Sequence, residues 1–377
     1  MTKIRVGITG QSGFVGSHLF NYLGIQSEIE LIPFDKDFFS SESKLQQFAD
    51  QCEVIVHLAA VNRHENQDEL YRINVLLVQQ LVTACEAINS RPHIIFSSST
   101  QEMLQNSYGA SKLEGNRLLT TWAKKNKSKV TLLTIPNVFG PFGKPFYNSV
   151  VATFCHKLTH KEEPSIIEDK EVSLLYVNDL IQAIHEIIKN PVSGEYESIV
   201  SHRIPCNKSI RVSEVLKILK YFQLNYLENG VIPSLSDNFH RDLFNTFRCY
   251  IPSNHYPVKF KKNTDQRGSF VELARTQSSG QTSFSVTLPG ITRGNHFHTR
   301  KAERFAVVKG KAKIELRRIN TEEVISYELD GENPSYVDMP IWYTHNITNI
   351  GSDELFTIFW INEPYNPADP DTYLLTV

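Results

Sequence analysis

The feature that most constrains this chain is a glycine turn near its start, Gly10-Gln-Ser-Gly13-Phe-Val-Gly16. It follows a short apolar run, 4–9, that reads as a buried strand, and it opens a stretch, 16–23, with apolar residues at helical spacing. Glycines placed this way let the backbone turn tightly and approach a pyrophosphate, while the helix N-terminus offers that anion free N–H groups and a positive dipole end. Three glycines alone fit many tight turns. A strand, turn and helix together point to a dinucleotide, with Gly10, Gly13, Phe14, Val15 and Gly16 as the expected contacts.

The rest of the first half keeps the same rhythm. Runs at 30–35, 54–60, 93–98 and 130–136 read as strands, and 73–88 and 108–124 show helical spacing. Such alternation predicts a Rossmann-type α/β fold, a doubly wound parallel sheet with helices on both faces. Near residue 245 the texture changes, with Pro252, Asn254 and Pro257 marking a connector. Short β-rich runs follow at 268–274, 281–288, 303–308, 312–318, 323–329, 335–339, 345–349 and 355–360, predicting an all-β barrel or sandwich. A chain of 377 residues exceeds what one core usually serves. The expected division is 1–243, a linker at 244–256, and 257–377.

The bulk properties exclude several classes of function. A formal net charge of -2 argues against nucleic acid or an anionic membrane as the main partner. No apolar run approaches the roughly 20 residues needed to cross a bilayer. Five scattered cysteines form no CxxC motif and no disulfide framework, which suggests a reducing, cytoplasmic setting.

Two groups of residues carry chemistry in the first half. Asp35 falls where an acidic residue usually binds the adenosine ribose, which favours NAD, but Lys36 beside it could pair a 2′-phosphate. Further on, Ser97-Ser-Ser99-Thr100 ends a strand and Tyr108-Gly-Ala-Ser-Lys112 opens a helix. Tyr and Lys four apart share one helix face, so the ammonium is expected to lower the phenol pKa and ready Tyr108 to exchange a proton with a substrate oxygen. A serine hydroxyl, Ser99 in the first instance, would bind the same oxygen. Alone, a YxxxK pair would be an ordinary surface helix; the glycine turn and the serine run favour catalysis.

The densest motif of the second half is Gly290-Ile-Thr-Arg-Gly-Asn-His296-Phe-His298-Thr-Arg-Lys-Ala-Glu303. Two histidines two apart on a strand face the same way, Glu303 returns after a short turn, and His345 follows in Pro340-Ile-Trp-Tyr-Thr-His345. Three imidazoles and a carboxylate suit a divalent first-row metal. The set does not by itself single out zinc, nickel, manganese or iron, and zinc is the expected occupant. A lone HxH would more often be an amphipathic strand.

These motifs carry two resemblances. The first 243 residues resemble the extended short-chain dehydrogenase/reductase family through GxxGxxG, His57-Leu58-Ala59-Ala60, Asn74-Val75, the serine run, YxxxK, Pro136-Asn-Val-Phe-Gly-Pro141 and Tyr176-Val-Asn-Asp179. That likeness implies a Ser99, Tyr108, Lys112 catalytic triad. It also implies cofactor contacts from Leu58, Ala59 and Ala60, and a nucleotide-sugar diphosphate held by Asn137 and the following loop. The gap between the serines and Tyr108 is shorter than in most members. The second half resembles the cupin family, fitting G-x5-HxH-x4-E-x6-G from Gly290 to Gly310, and P-x-G-x2-H-x3-N except that Trp342 replaces the glycine. Asp265-Gln-Arg-Gly-Ser-Phe-Val-Glu272 and Thr292-Arg293-Gly-Asn-His296 are further similar to sugar-nucleotide 3-epimerases, which implies a substrate contact at Arg293 and proton transfer by His296 or another base. Lys301 and Tyr343 are candidate proton donors.

The pairing resembles a family of bifunctional bacterial capsule and O-antigen enzymes, to which 144–149, with Asn148 as a substrate contact, and the ending 370–377 also look similar. It implies C3 epimerisation of a UDP-2-acetamido-2,6-dideoxy-4-hexulose, then NADPH-dependent C4 reduction to the L-talose derivative on the way to UDP-N-acetyl-L-fucosamine. The expected partners are a UDP-sugar and a second copy in a homodimer. NADPH is then favoured over the NAD suggested by Asp35. Two other readings stay open: a nucleotide-sugar 4-epimerase or dehydratase with a sugar-binding cupin, and a non-catalytic NAD(P)-sensing regulator.

Overall fold

The computed structural model describes residues 3–191, 198–235, 237–265, 268–271, 273–277, 280–363 and 366–377. Within the 265–272 motif, Gln266, Arg267 and Glu272 lie outside the described residues. The chain divides into two compact units, 1–150 with 170–211, and 151–169 with 212–377.

In the first unit the apolar runs become β1 (Ile4–Thr9), β2 (Ile29–Ile32), β3 (Val54–His57), β4 (His93–Ser99) and β5 (Val130–Ile135), then β6 (Asn137–Phe139), β7 (Glu171–Tyr176), β8 (Ile199–Arg203) and β9 (Lys208–Arg211). Six of them form one parallel sheet in the order β2-β1-β3-β4-β5-β8. The intervening helices are α1 (Phe14–Gly24), α2 (Glu42–Gln51), α3 (Gln67–Ala87) and α4 (Ser107–Asn126). Next come α5 (Val150–Thr159), almost wholly in the second unit, and α6 (Val177–Lys189). Side chains along each strand alternate between two cores. Ile55, Ile94 and Phe96 pack with Phe48, Leu81 and Trp122, whereas Val56 and Ile95 pack with Leu19, Leu180 and Ile184. Two cores on opposite faces are what a doubly wound sheet requires.

The second unit holds α7 (Val212–Phe222) and α8 (Asn238–Arg248) and a series of mostly antiparallel strands. These are β10 (Val231–Ile232), β11 (Val258–Lys259), β12 (Lys262–Asp265), β13 (Gly268–Val271), β14 (Arg275–Thr276), β15 (Gln281–Thr287), β16 (Thr292–Phe297) and β17 (Glu303–Lys309). They continue as β18 (Lys311–Arg318), β19 (Val324–Asp330), β20 (Ser335–Met339), β21 (Tyr343–Asn349), β22 (Leu355–Ile361) and β23 (Tyr373–Leu374). Two five-stranded sheets, β11-β20-β17-β22-β15 and β19-β18-β21-β16-β23, enclose Phe305, Val307, Ile314, Leu316, Val337 and Ile347. This is the all-β sandwich expected, of cupin type.

The stretch read as a connector, 244–256, differs in one respect. Residues up to Arg248 continue α8, and Phe244, Asn245, Phe247 and Arg248 are buried. Polar groups that look like loop in the sequence find partners inside: Asn245 Nδ2 donates to Arg300 O at 3.2 Å, though its Oδ1 has none, and Arg248 Nη2 donates to Met339 O at 3.3 Å.

Candidate functional site

Two groups of candidate residues come together, one in each unit. The first begins at the end of β1, where Gly10 takes φ +75, a left-handed conformation that favours glycine, and Gly13 N donates to Gly10 O at 3.0 Å. A Cβ on Gly16 would sit 2.1 Å from Gly10 O, so only glycine lets α1 start this close to the turn. Gly13 caps α1 with no side-chain hydrogen bond. The turn therefore presents helix-start N–H groups without a competing side chain, which fits a dinucleotide pyrophosphate. Leu58, Ala59 and Ala60 follow β3 beside it, with Leu58 N donating to Thr9 O at 3.2 Å.

Asp35 sits differently from the expectation. The strand stops at Ile32, and Asp35 caps the short 3-10 turn Lys36–Ser40, its Oδ1 accepting from Asp37 N at 2.9 Å. Asp35 and Lys36 are both exposed. An Asx cap of this kind is a local competitor of the extended strand.

Tyr108 lies in the first turn of α4, whose N-cap Asn106 accepts from Gly109 N at 2.7 Å. One turn on, Lys112 is buried, its Nζ 3.5 Å from Ser97 Oγ and 5.6 Å from the centre of the Tyr108 ring. Strand alternation separates the serines. Ser98 Oγ donates to Glu102 Oε2 at 2.6 Å on the side of Asn116, while Ser97 Oγ donates to His57 O at 3.1 Å and Ser99 Oγ accepts from Gln101 N at 3.2 Å. Ser99 thus shares a face with Ser97 and Lys112; Thr100 opens the following 3-10 turn. Burial pushes the Tyr108 phenol up to about 12, with Tyr147 adding to it, and burial pulls Lys112 down to about 8. The expected lowering of the phenol by Lys112 does not show in this arrangement, where burial and then Tyr147 set the direction. Tyr147 is a neighbour that sequence reasoning missed; its only signal was its place inside the 144–149 motif. Asn137, on β6, and Asn148 are exposed.

The second group is built on the sandwich. His296 lies on β16, His298 just past its end, Glu303 opens β17 and His345 lies on β21. A bulge between Gly294 and His296, with Asn295 at φ +58, brings His296 opposite His345. One ligand atom from each of the four falls within 4.8 Å of the others. Glu303 Oε2 is 3.1 Å from His298 Nε2 and 3.1 Å from His345 Nε2. Yet His345 Nε2 is buried and makes no hydrogen bond of acceptable geometry. A buried nitrogen left unsatisfied beside a carboxylate, with two more imidazoles in reach, fits a divalent metal. Trp342 replaces the glycine of the cupin pattern at φ +62; its N donates to His298 O at 2.8 Å and its ring stacks on Phe297.

Burial, then the neighbouring His345 and His298, lowers His296 to about 4, so it is neutral at pH 7. Burial also opposes the charge on His298, but its hydrogen bond to Glu303 and the carboxylate's charge raise it above the usual histidine value. Glu303 is held well below the usual carboxylate range, because its histidine partners outweigh its own burial. Lys301 is buried, its Nζ donating to Pro370 O at 2.7 Å. Arg293 is exposed and donates through Nε to Thr287 Oγ1 at 3.1 Å. Burial raises the Tyr343 phenol to about 12.

The fold and these two groups define a nucleotide-binding reductase unit joined to a cupin, and comparison agrees. Residues 6–201 match the NAD dependent epimerase/dehydratase family, and residues 263–373 match the polysaccharide biosynthesis C-terminal domain. A Pseudomonas aeruginosa protein, UDP-2-acetamido-2,6-beta-L-arabino-hexul-4-ose reductase, is 32% identical over 379 residues, covering 99% of each chain. The capsular polysaccharide assembling protein CapF of Staphylococcus aureus is 33% identical with a TM-score of 0.63, over 99% of this chain and 100% of that one. A second CapF structure, with the inhibitor 3-isopropenyl-tropolone, is 32% identical with a TM-score of 0.56, over 99% of this chain and 100% of that one. The chain belongs to the CapF/WbjC family. Among the described residues no helix is long and apolar enough to cross a membrane.

Proposed function

We propose that this chain is a bifunctional nucleotide-sugar enzyme whose cupin module, 257–377, epimerises C3 of a UDP-2-acetamido-2,6-dideoxy-4-hexulose. The reductase module, 1–243, would then reduce the C4 ketone with NADPH to UDP-2-acetamido-2,6-dideoxy-L-talose, for capsule or O-antigen synthesis by way of UDP-N-acetyl-L-fucosamine. The observation that carries this reading is the convergence of His296, His298, Glu303 and His345 on a chain whose other unit sets Tyr108 and Lys112 beside a serine run. The order follows from chemistry. A proton at C3 is acidic only while C4 is a ketone, and reduction then makes the inverted centre permanent.

In the cupin, His296, His298, Glu303 and His345 would hold the metal, zinc foremost, which supplies Lewis acidity to a developing enolate. His296, the least buried of the four and neutral at pH 7, would leave the metal to His298, Glu303 and His345 when it takes the C3 proton on its freed lone pair, and Lys301, exchanging its bond to Pro370 O for the sugar, would return a proton. Arg293 would bind the substrate. Tropolones chelate divalent metals through adjacent oxygens, so the inhibitor named for CapF is consistent with such a centre.

In the reductase, the glycine turn would bind the NADPH pyrophosphate, with Asp35, Lys36 and 58–60 along the cofactor; NADPH supplies the reducing equivalent. Ser99 would orient the C4 oxygen, Tyr108 would deliver its proton, and Lys112 would hold the phenol's charge balance. Asn137 and Asn148 would line the nucleotide-sugar. Dehydration is disfavoured by Glu102, whose carboxylate is committed to Ser98 and to Asn116 at 3.0 Å. A cytoplasmic homodimer completes the reading, supported by five free cysteines and by β15, an edge strand bearing the exposed Phe284.

The test mixes the protein with NADPH and a UDP-4-keto-6-deoxy-N-acetylhexosamine and follows absorbance at 340 nm. NADPH oxidation is expected, and its absence would overturn the reductase assignment.

A further inference from the structure

The segment 366–377 lies along the metal-binding strands. β23 pairs with His296 and Phe297, Leu375 N donates to Asn295 O at 2.9 Å, and Arg317 Nη2 donates to Thr376 O at 2.6 Å. At its centre Asp371 is buried and takes φ +41, a left-handed conformation uncommon outside glycine that asparagine and aspartate tolerate best.

That conformation lets Asp371 do two things at once. Its backbone oxygen accepts from His298 Nδ1. Its carboxylate accepts from Thr299 N at 3.1 Å, Thr299 Oγ1 at 2.6 Å, Arg300 N at 3.0 Å and Lys301 N at 3.0 Å. The first bond keeps a proton on Nδ1, so Nε2, which donates to Glu303 at 3.1 Å without a metal, is the nitrogen that can give up its proton and take one. The other four pin the turn that separates His298 from Glu303. One side chain and one carbonyl therefore set the tautomer of one ligand and its spacing to the next.

We propose that Asp371 is a positioning residue of the cupin metal centre, fixing His298 as an Nε2 ligand and holding the 299–301 turn so that Glu303 meets the same point. This inference rests on the metal-binding reading above. A ligating histidine ordinarily donates its second nitrogen to a carboxylate or carbonyl, and loss of such a partner typically weakens metal affinity about 10–100-fold. Here that partner is supplied from a segment some seventy residues further along the chain.

Asp371→Asn is the informative variant, since it keeps shape but turns an amide N–H toward backbone donors. Asp371→Gly suits the positive φ and keeps the carbonyl while deleting the carboxylate. Arg317→Ala loosens the same segment without touching His298 or the turn. Each full-length variant, stripped of metal, is titrated with Co(II), recording affinity and the d–d absorption spectrum, with circular dichroism of the apo protein as the folding control.

The expected result is about 10–100-fold weaker Co(II) binding with an altered d–d envelope for Asp371→Asn, a loss of affinity for Asp371→Gly, and wild-type behaviour for Arg317→Ala. If wild type and Asp371→Asn bind Co(II) with the same affinity and spectrum, the positioning role is wrong while the metal centre stands. If wild type itself binds no Co(II), the metal-centre reading fails instead. Should Asp371→Asn not fold, Asp371→Gly decides by the same two readings.

Discussion

Arg304 and Asp338 face each other across β17 and β20 and are joined by two hydrogen bonds, Nε to Oδ1 at 2.8 Å and Nη2 to Oδ2 at 3.1 Å, with both side chains buried. Arg304 directly follows Glu303, so the pair underlies one wall of the metal-binding cluster. Tyr226 also donates to Asp338, and Arg248 Nε donates to Tyr226 Oη at 3.1 Å. Removing one partner leaves an uncompensated buried charge. Asp338→Ala or Arg304→Met alone is expected to cost about 3–5 kcal/mol, and the double replacement less than the sum. Urea midpoints of the two single variants and the double variant check this; strictly additive losses would show that the pair does not act as a unit.

Acid should weaken the first unit through His57. It is buried beneath the glycine turn, its Nδ1 2.8 Å from Thr9 Oγ1, and burial, with Lys112 nearby, lowers it to about 3. The folded state therefore stays unprotonated between pH 6.5 and 3 while the unfolded chain takes up a proton. Stability is lost as pH falls through this window, by about 2 kcal/mol at pH 5 relative to pH 7.5. Chemical unfolding of wild type and His57→Gln at both pH values measures it. An equal pH dependence in the two proteins would remove His57 as the cause.

Lys112 should limit reduction at high pH. Its ammonium is lowered to about 8, so kcat/KM for reduction falls as pH rises past that point. Lys112→Arg should move this limb upward, and Lys112→Met should abolish the activity. A wild-type profile that stays flat to pH 9.5 would dissociate Lys112 from the reaction.

Metal removal should separate the two activities. Protein stripped by a chelator is expected to lose C3–H exchange yet still oxidise NADPH with a 4-ketone already of the L-arabino configuration, and zinc should restore exchange. Glu303→Gln should behave like the stripped protein. Full exchange without metal would contradict the assignment.

Much of this was legible in the sequence because the features are local. β1 and β20 fall on the residues expected, β1 because Ile4, Val6 and Ile8 alternate and β20 because the turn residues Gly331, Asn333 and Pro334 mark its start. Three of the four metal-ligating candidates converge because HxH, a turn and a following strand nearly dictate their geometry, and His345 joins them through the pairing of β21 with β16. What escaped depends on distant partners. The last turns of α8 look polar until Arg300 O is seen to accept from Asn245 Nδ2, and Met339 O and Tyr226 from Arg248. The contact of Asp371 with His298 spans 73 positions and leaves no periodic trace. Asp35 read as the end of a strand, but its carboxylate reaches Asp37 N and starts a turn instead.

The two-site account is tested most directly by Tyr108→Phe, assayed in deuterated water with NADPH and a UDP-4-keto-6-deoxy-N-acetylhexosamine. Proton NMR follows the C3–H signal and absorbance follows NADPH. The account predicts that C3–H exchanges for deuterium at the wild-type rate while NADPH is not consumed. Loss of both exchange and oxidation would contradict it, because the two steps would then share one site.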